Sequence, residues 1–123
     1  MINLKQPEGK FEWSESEQVW PNEKTDDGKT IYCKLVKSST GPSGASTFYN
    51  HGISNLDNFW RIDIYLQNPS AKDRRKFNLS NPAGGAWNVD FQITNSTQIF
   101  VEAGNTAHAG FHVEFYLWYT KTA

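Results

Sequence analysis

At 123 residues, with 12 Lys and Arg against 13 Asp and Glu, the chain suits one domain with a modest core, and its charge gives no field that would draw it to nucleic acid or an anionic membrane. Mean hydropathy is -0.65, yet 15% of the residues are aromatic and 5 are Trp, so the apolar content is concentrated in rings. The single Cys33 excludes an intrachain disulfide, no Cys/His spacing matches a zinc site, and no apolar run approaches the length of a membrane span or a signal-peptide core.

Residues 1–20 are charged and weakly patterned, and read as an N-terminal arm or linker holding the isolated rings Phe11, Trp13 and Trp20. Residues 21–123 read as the folded head. Asp27-Gly28 signals a two-residue hairpin turn, because both central positions of a type I′ turn take positive φ. Ile31, Cys33 and Leu35 then alternate with Tyr32, Lys34 and Val36, which predicts a strand with Cys33 as a small, unreactive core residue. "SSTGPSGAST" is a loop by composition. Gly52 in "YNHGIS" marks a tight turn, and His51 is expected to fix it through a side-chain hydrogen bond.

In "FWRIDIYLQN", period-two reading turns Trp60, Ile62, Ile64 and Leu66 inward and Arg61, Asp63 and Tyr65 outward. "PSAKDRRK" reads as a charged hairpin tip, Phe77 and Leu79 as a short strand, and "NPAGGA" as a turn. "WNVDFQIT" sets Trp87, Val89, Phe91 and Ile93 against Asn88, Asp90, Gln92 and Thr94, and Ile99 with Val101 makes another short strand. The last strand, "HVEFYLWYTK", has aromatics on both faces. Phe111, Val113, Phe115, Leu117 and Tyr119 form a core face; His112, Glu114, Tyr116, Trp118 and Thr120 form the other. No stretch sustains a helical period. Strands punctuated by turns predict an all-β, antiparallel β-sandwich of jelly-roll-like type.

Chemistry-bearing residues are sparse. His51, His108 and His112 lack a partnering Cys or further ligand by spacing, so no metal or other cofactor is expected. Glu12, Glu15 and Glu17 lie in the arm, where nothing in the sequence desolvates them. Asp57, Asp63 and Asp90 lie on or beside strands, but no nucleophile elbow, phosphate loop or hydrolase signature accompanies them, and no catalytic residue is assigned. The rings are more informative. A sugar presents an apolar C–H face and a rim of hydroxyls, which suit an exposed ring with polar neighbours. Two sets are candidates: the outward triplet Arg61, Asp63 and Tyr65, and Trp87 with Asn88 and Asp90 beside the glycine loop, although the alternation favours Trp87 as core. The outer rings Tyr116 and Trp118, with His112 and Glu114, read first as a subunit interface.

Three segments carry a resemblance to a known family: Glu17, Gln18 and Val19 followed by Asp27, Gly28, Lys29, Ile31, Tyr32 and Lys34; then His51, Gly52, Ile53 and Asp57; then Tyr119, Thr120, Lys121 and Thr122. In this order the chain, from about Glu17 onward, resembles the C-terminal head module of bacteriophage and prophage tail-fibre and receptor-binding proteins. It departs from the family pattern at Thr25 and Asp26, where relatives often carry an aromatic. The resemblance implies an all-β homotrimer on a virion tail fibre, assembled in the bacterial cytoplasm with upstream fibre or baseplate proteins. Its implied partner is a receptor on the bacterial surface, often a polysaccharide or other glycan, with no nucleic acid and no membrane insertion. Two rival functions stand beside it: a structural trimerisation module without a ligand, and a glycan-degrading enzyme.

Overall fold

The computed structural model describes residues 11–42, 47–70, 72–77, 89–93, 97–103 and 109–122. Trp87, Asn88, Leu79 and His108 lie outside these residues, and Asp90 is placed by its backbone alone. The described chain is all-β: β1 (Gln18–Lys24), β2 (Thr30–Ser38), β3 (Thr47–Asn50), β4 (Leu56–Asn68), β5 (Asp73–Phe77), β6 (Val89–Ile93), β7 (Gln98–Ala103) and β8 (His112–Lys121). A five-stranded sheet in the order β1-β2-β8-β4-β5 faces a three-stranded sheet in the order β3-β7-β6, and every pairing is antiparallel. Successive strands alternate between sheets through β2, β3 and β4, as a jelly-roll-like order requires. The order then departs from it, because β5 pairs back onto β4 and β6 pairs with β7.

Alternation explains the core. Val113, Phe115, Leu117 and Tyr119 of β8 are buried with Ile64 and Leu66 of β4 against Tyr49, Ile99 and Val101 of the smaller sheet. The Tyr49 and Phe115 rings meet at 4.9 Å across the two layers. Each such fully buried side chain contributes about 1.5–3 kcal/mol through area removed from water.

The other face of β8 is also covered, by a third layer that the sequence reading did not anticipate. From Phe11 onward the expected free arm belongs to the domain. Leu35 N–H donates to the Ser14 carbonyl at 2.9 Å, and Gln18 and Val19 lie opposite Cys33 and Tyr32 in the β1–β2 ladder. Phe11, Trp13 and Trp20 then pack over Ile31, Cys33 and Trp118. The register puts Cys33 opposite Trp118 and Tyr32 opposite Tyr119. Ile31 and Cys33 are therefore core residues, as expected, but of this outer cluster, while Tyr32 and Val36 turn toward the space between the sheets. Burial, reinforced by the charge of Glu17, pushes the Cys33 thiol up to about 11, and its Sγ sits 3.6 Å from the Gln18 carbonyl.

Glu17 ties the arm to the end of β8. Its carboxylate accepts hydrogen bonds from Tyr119 Oη at 2.6 Å and Lys121 Nζ at 2.9 Å. Burial opposes ionisation of Glu17, but the bonds from Lys121 and Tyr119 and the nearby ammonium groups together hold its pKa below the ordinary 4.5. A depressed folded-state pKa adds stability that is complete above the unfolded value and is lost as pH falls through the folded one. Glu17→Gln should therefore cost about 1 kcal/mol at neutral pH. In urea titrations repeated at falling pH from 7, the gap to the wild type should stay constant down to the ordinary carboxylate range and then close as pH falls further; a gap that does not narrow below that range would contradict the ionic clasp.

Three local expectations change. The β1–β2 turn is longer than two residues: Gly28 N–H donates to the Thr25 carbonyl at 2.9 Å, and Gly28 has φ +82° while Asp27 is not in the left-handed region. One positive φ closes this wider turn, so only the glycine is required to supply it. The basic run "KDRRK" lies mostly outside the hairpin tip, because the β4–β5 pairing continues from Ile64 opposite Phe77 to Asn68 opposite Asp73 and places Asp73, Arg74, Arg75 and Lys76 in the ladder. Finally, the β4–β8 register slips between Leu56 and Asn58 and again between Phe59 and Arg61. The second bulge gives Phe59 the inward place opposite Tyr119, and Trp60, expected in the core, is 43% exposed.

Candidate functional site

Cross-strand register brings together two sets of residues that sequence reading kept apart. Arg61 lies opposite Trp118, Asp63 opposite Tyr116, Tyr65 opposite Glu114 and Gln67 opposite His112. The proposed sugar-binding triplet and the proposed subunit interface are thus one surface, the outer face of β4 and β8. Trp118 is only 6% exposed. Trp13 meets it edge-on at 4.9 Å and Trp20 at 5.6 Å, and Trp13 also meets Tyr116 at 4.9 Å. The arm of the same chain takes the place assigned to a neighbouring subunit, so Trp118 is removed from the expected interface. His112 remains exposed; Glu114 and Tyr116 are half-buried.

What remains of this face is largely engaged with itself. The Arg61 guanidinium lies 4.8 Å from the centre of the Trp118 ring and pairs with Asp63 at 3.2 Å. Arg74 covers the Tyr65 ring at 4.4 Å and reaches Glu114 at 2.8 Å, and Tyr116 Oη donates to Glu114 at 3.0 Å. Burial opposes ionisation of Glu114, but the bonds from Arg74 and Tyr116 outweigh it and hold its carboxyl below the usual range. A sugar that stacked on Tyr65 would have to displace Arg74.

The segments that carry the family resemblance meet at one end of the sandwich. Glu17 bonds Tyr119 and Lys121, Lys29 pairs with Asp57 at 3.0 Å, and Thr120 Oγ1 donates to the same Asp57 oxygen at 3.1 Å. Lys34 Nζ donates to the His51 carbonyl at 2.6 Å, and Thr122 N–H to the Asn55 carbonyl at 2.8 Å. His51 is buried and its Nδ1 accepts from Ile53 N–H at 3.0 Å, which is the turn-fixing bond expected from the sequence. Burial, with Lys34 nearby, lowers its pKa and keeps the ring neutral. Gly52 has φ +66°, a left-handed backbone that residues with a Cβ rarely adopt, so glycine is favoured here.

Against this scaffold opens a cleft of about 170 Å³ lined by Thr25, Asp27, Lys29, Asp57, Asn58, Phe59, Trp60 and Thr120. Ligand pockets that enclose a drug-sized molecule start near 300 Å³; this one suits a single ring or chain end. The β1–β2 turn supplies one wall, the bulged start of β4 another and the end of β8 the floor. Hydrogen bonds from Lys29 and Thr120 hold the Asp57 carboxyl below its ordinary pKa, and Thr25 does the same for Asp27. Asp57 likewise raises the pKa of Lys29. The cleft therefore offers two ionised acceptors, an ammonium group and an exposed indole. Among the described residues, no group of three His, Cys, Asp or Glu side chains is placed to hold a metal ion.

Comparison with known proteins yields no match to a family model, a curated protein or a solved structure. Trp60 was missed because unbroken alternation assigned it to the core. The signal that could have found it is the phase conflict in "LDNFWRID", where Phe59 and Trp60 compete for one inward position.

Proposed function

We propose that this protein is the head domain of a phage or prophage tail fibre, a homotrimeric attachment module that binds a glycan on the bacterial surface without cleaving it. The observation that carries the reading is Trp60: a bulge displaces a large ring from the core and leaves it 43% exposed beside a cleft of hydrogen-bonding groups. An exposed indole with carboxylate, amide and hydroxyl neighbours is the arrangement that takes a sugar's apolar face and its hydroxyl rim together. The convergence of the three resemblance segments on that same end of the sandwich supports the family assignment. The lowered pKa of both cleft carboxyls supports binding over hydrolysis at this cleft, since glycoside cleavage needs one carboxyl raised to donate a proton.

The test pairs a glycan array and purified bacterial surface polysaccharides with a solution mass. Saturable binding, no release of reducing ends and a mass near three times 14.0 kDa are expected. A trimer that binds no glycan or cell would favour the purely structural fibre module, and released reducing ends would favour the enzyme.

A further inference from the structure

The charge of the Trp60 cleft restricts which sugars it can take. Its lining has two carboxylates, Asp27 and Asp57, and one ammonium, Lys29, which leaves a net charge of -1. The ammonium is already committed, at 3.0 Å from Asp57 Oδ2, and Thr120 Oγ1 donates to that same oxygen. Asp57 Oδ1 accepts no hydrogen bond among the described residues and is the acceptor left for a ligand. Thr25 Oγ1 is turned to Asp27 and to the Lys29 N–H, so it adds no free donor toward an anion. Of the neutral groups that remain, Asn58 offers an uncharged amide, and the face of the Trp60 ring favours a cation over an anion. An incoming carboxylate or phosphate would face two like charges and a single cation whose charge is already paired with Asp57. An ammonium or a hydroxyl would meet a ready acceptor.

On the reading that the chain binds glycans, we infer that this cleft is the subsite for a sugar ring that is uncharged or carries a free amino group, and that it excludes acidic rings. The order of affinity is amino sugar, then neutral sugar, then uronic acid. Partly solvated charges a few ångströms apart interact on the order of 1 kcal/mol, attractive for the ammonium form and repulsive for the carboxylate form, so the amino and acidic forms differ by roughly 30-fold in affinity. Since the cleft is open to solvent, added salt narrows the gap.

The experiment uses the full chain labelled with nitrogen-15, whose indole N–H signals come from 5 Trp residues; the Trp60→Phe variant assigns the Trp60 signal. Methyl glycosides of the gluco, galacto and manno series are titrated in three forms: the 2-amino sugar, the parent sugar and the uronic acid. The expected result is a shift of the Trp60 signal in at least one series, with affinity falling in the stated order and a narrower spread at 0.5 M salt, a level at which the screening length is down to roughly 4 Å. Asp57→Asn should flatten the order. Lys29→Met, at a side chain more than half exposed, should widen it and guards against an Asp57 variant that fails to fold. Uronic acids that bind Trp60 as tightly as the amino forms would overturn the inference while leaving glycan binding intact. A glycan bound on the array with no movement of the Trp60 signal in any series would overturn the subsite. An array with no binding at all would remove the underlying reading as well.

Discussion

Replacing Trp118 with Ala is expected to cost about 3–5 kcal/mol of folding stability, the range for truncating a large buried ring. The side chain is 6% exposed, lies opposite Cys33 on one neighbouring strand and Arg61 on the other, and is capped by Trp13 and Trp20. Its removal would leave a cavity in the layer that joins the arm to the sheet. A domain of this size is stable by only about 5–15 kcal/mol in total, so the variant should unfold at a much lower urea concentration. Trp13→Ala should reproduce a substantial part of the loss, because it deletes the other half of the same contact. The cost should not depend on protein concentration. If Trp118 instead joined subunits, the urea midpoint of the wild type would rise with concentration and that of the variant would not. An unchanged midpoint in the variant would remove the three-layer account.

Replacing Trp60 with Ala should have the opposite profile: little change in stability and a large loss of attachment. The ring is among the most exposed large apolar side chains described, and substitutions at such positions usually stay within about 0.5 kcal/mol of the parent in stability. At a binding site a Trp anchor is commonly worth about 2 kcal/mol or more, close to 30-fold in affinity. If the protein is the trimeric fibre head proposed above, several modest sites engaging one surface multiply that loss, so whole-cell attachment should fall further than affinity for a soluble oligosaccharide. Fluorescently labelled wild type and variant, compared on intact cells and on soluble glycan, give both numbers. Equal attachment by a well-folded Trp60→Ala protein would move the site to the surface shared by Arg61, Asp63, Tyr65 and Glu114.

These two expectations replace a simpler pair. Sequence alone suggested that changes at Tyr116 and Trp118 would separate subunits while changes at Arg61, Asp63 and Tyr65 would weaken sugar binding and leave the trimer intact. The antiparallel register interleaves the two sets residue by residue, and Arg61 stacks on Trp118. Substitutions in one set therefore alter the other, and their effects should not add.

The features legible in the sequence are those whose causes are local. Period-two alternation set the class of fold, the inward face from Val113 to Tyr119 and the burial of Ile31 and Cys33, because side chains on a strand must alternate whatever lies beyond it. The turn at His51 and Gly52 was legible for the same reason, since the histidine bonds a backbone amide two residues away. What covers each face is decided by residues distant in the chain. Glu17 meets Tyr119 across 102 positions and Lys29 meets Asp57 across 28, and no local pattern encodes such partners. Only tertiary structure shows that Phe11, Trp13 and Trp20 lie over Trp118, which turns an apparent interface into a core. Only it shows that Phe59 wins the place opposite Tyr119: two large rings in succession cannot both point inward from one strand, and the bulge that resolves the conflict leaves Trp60 facing solvent.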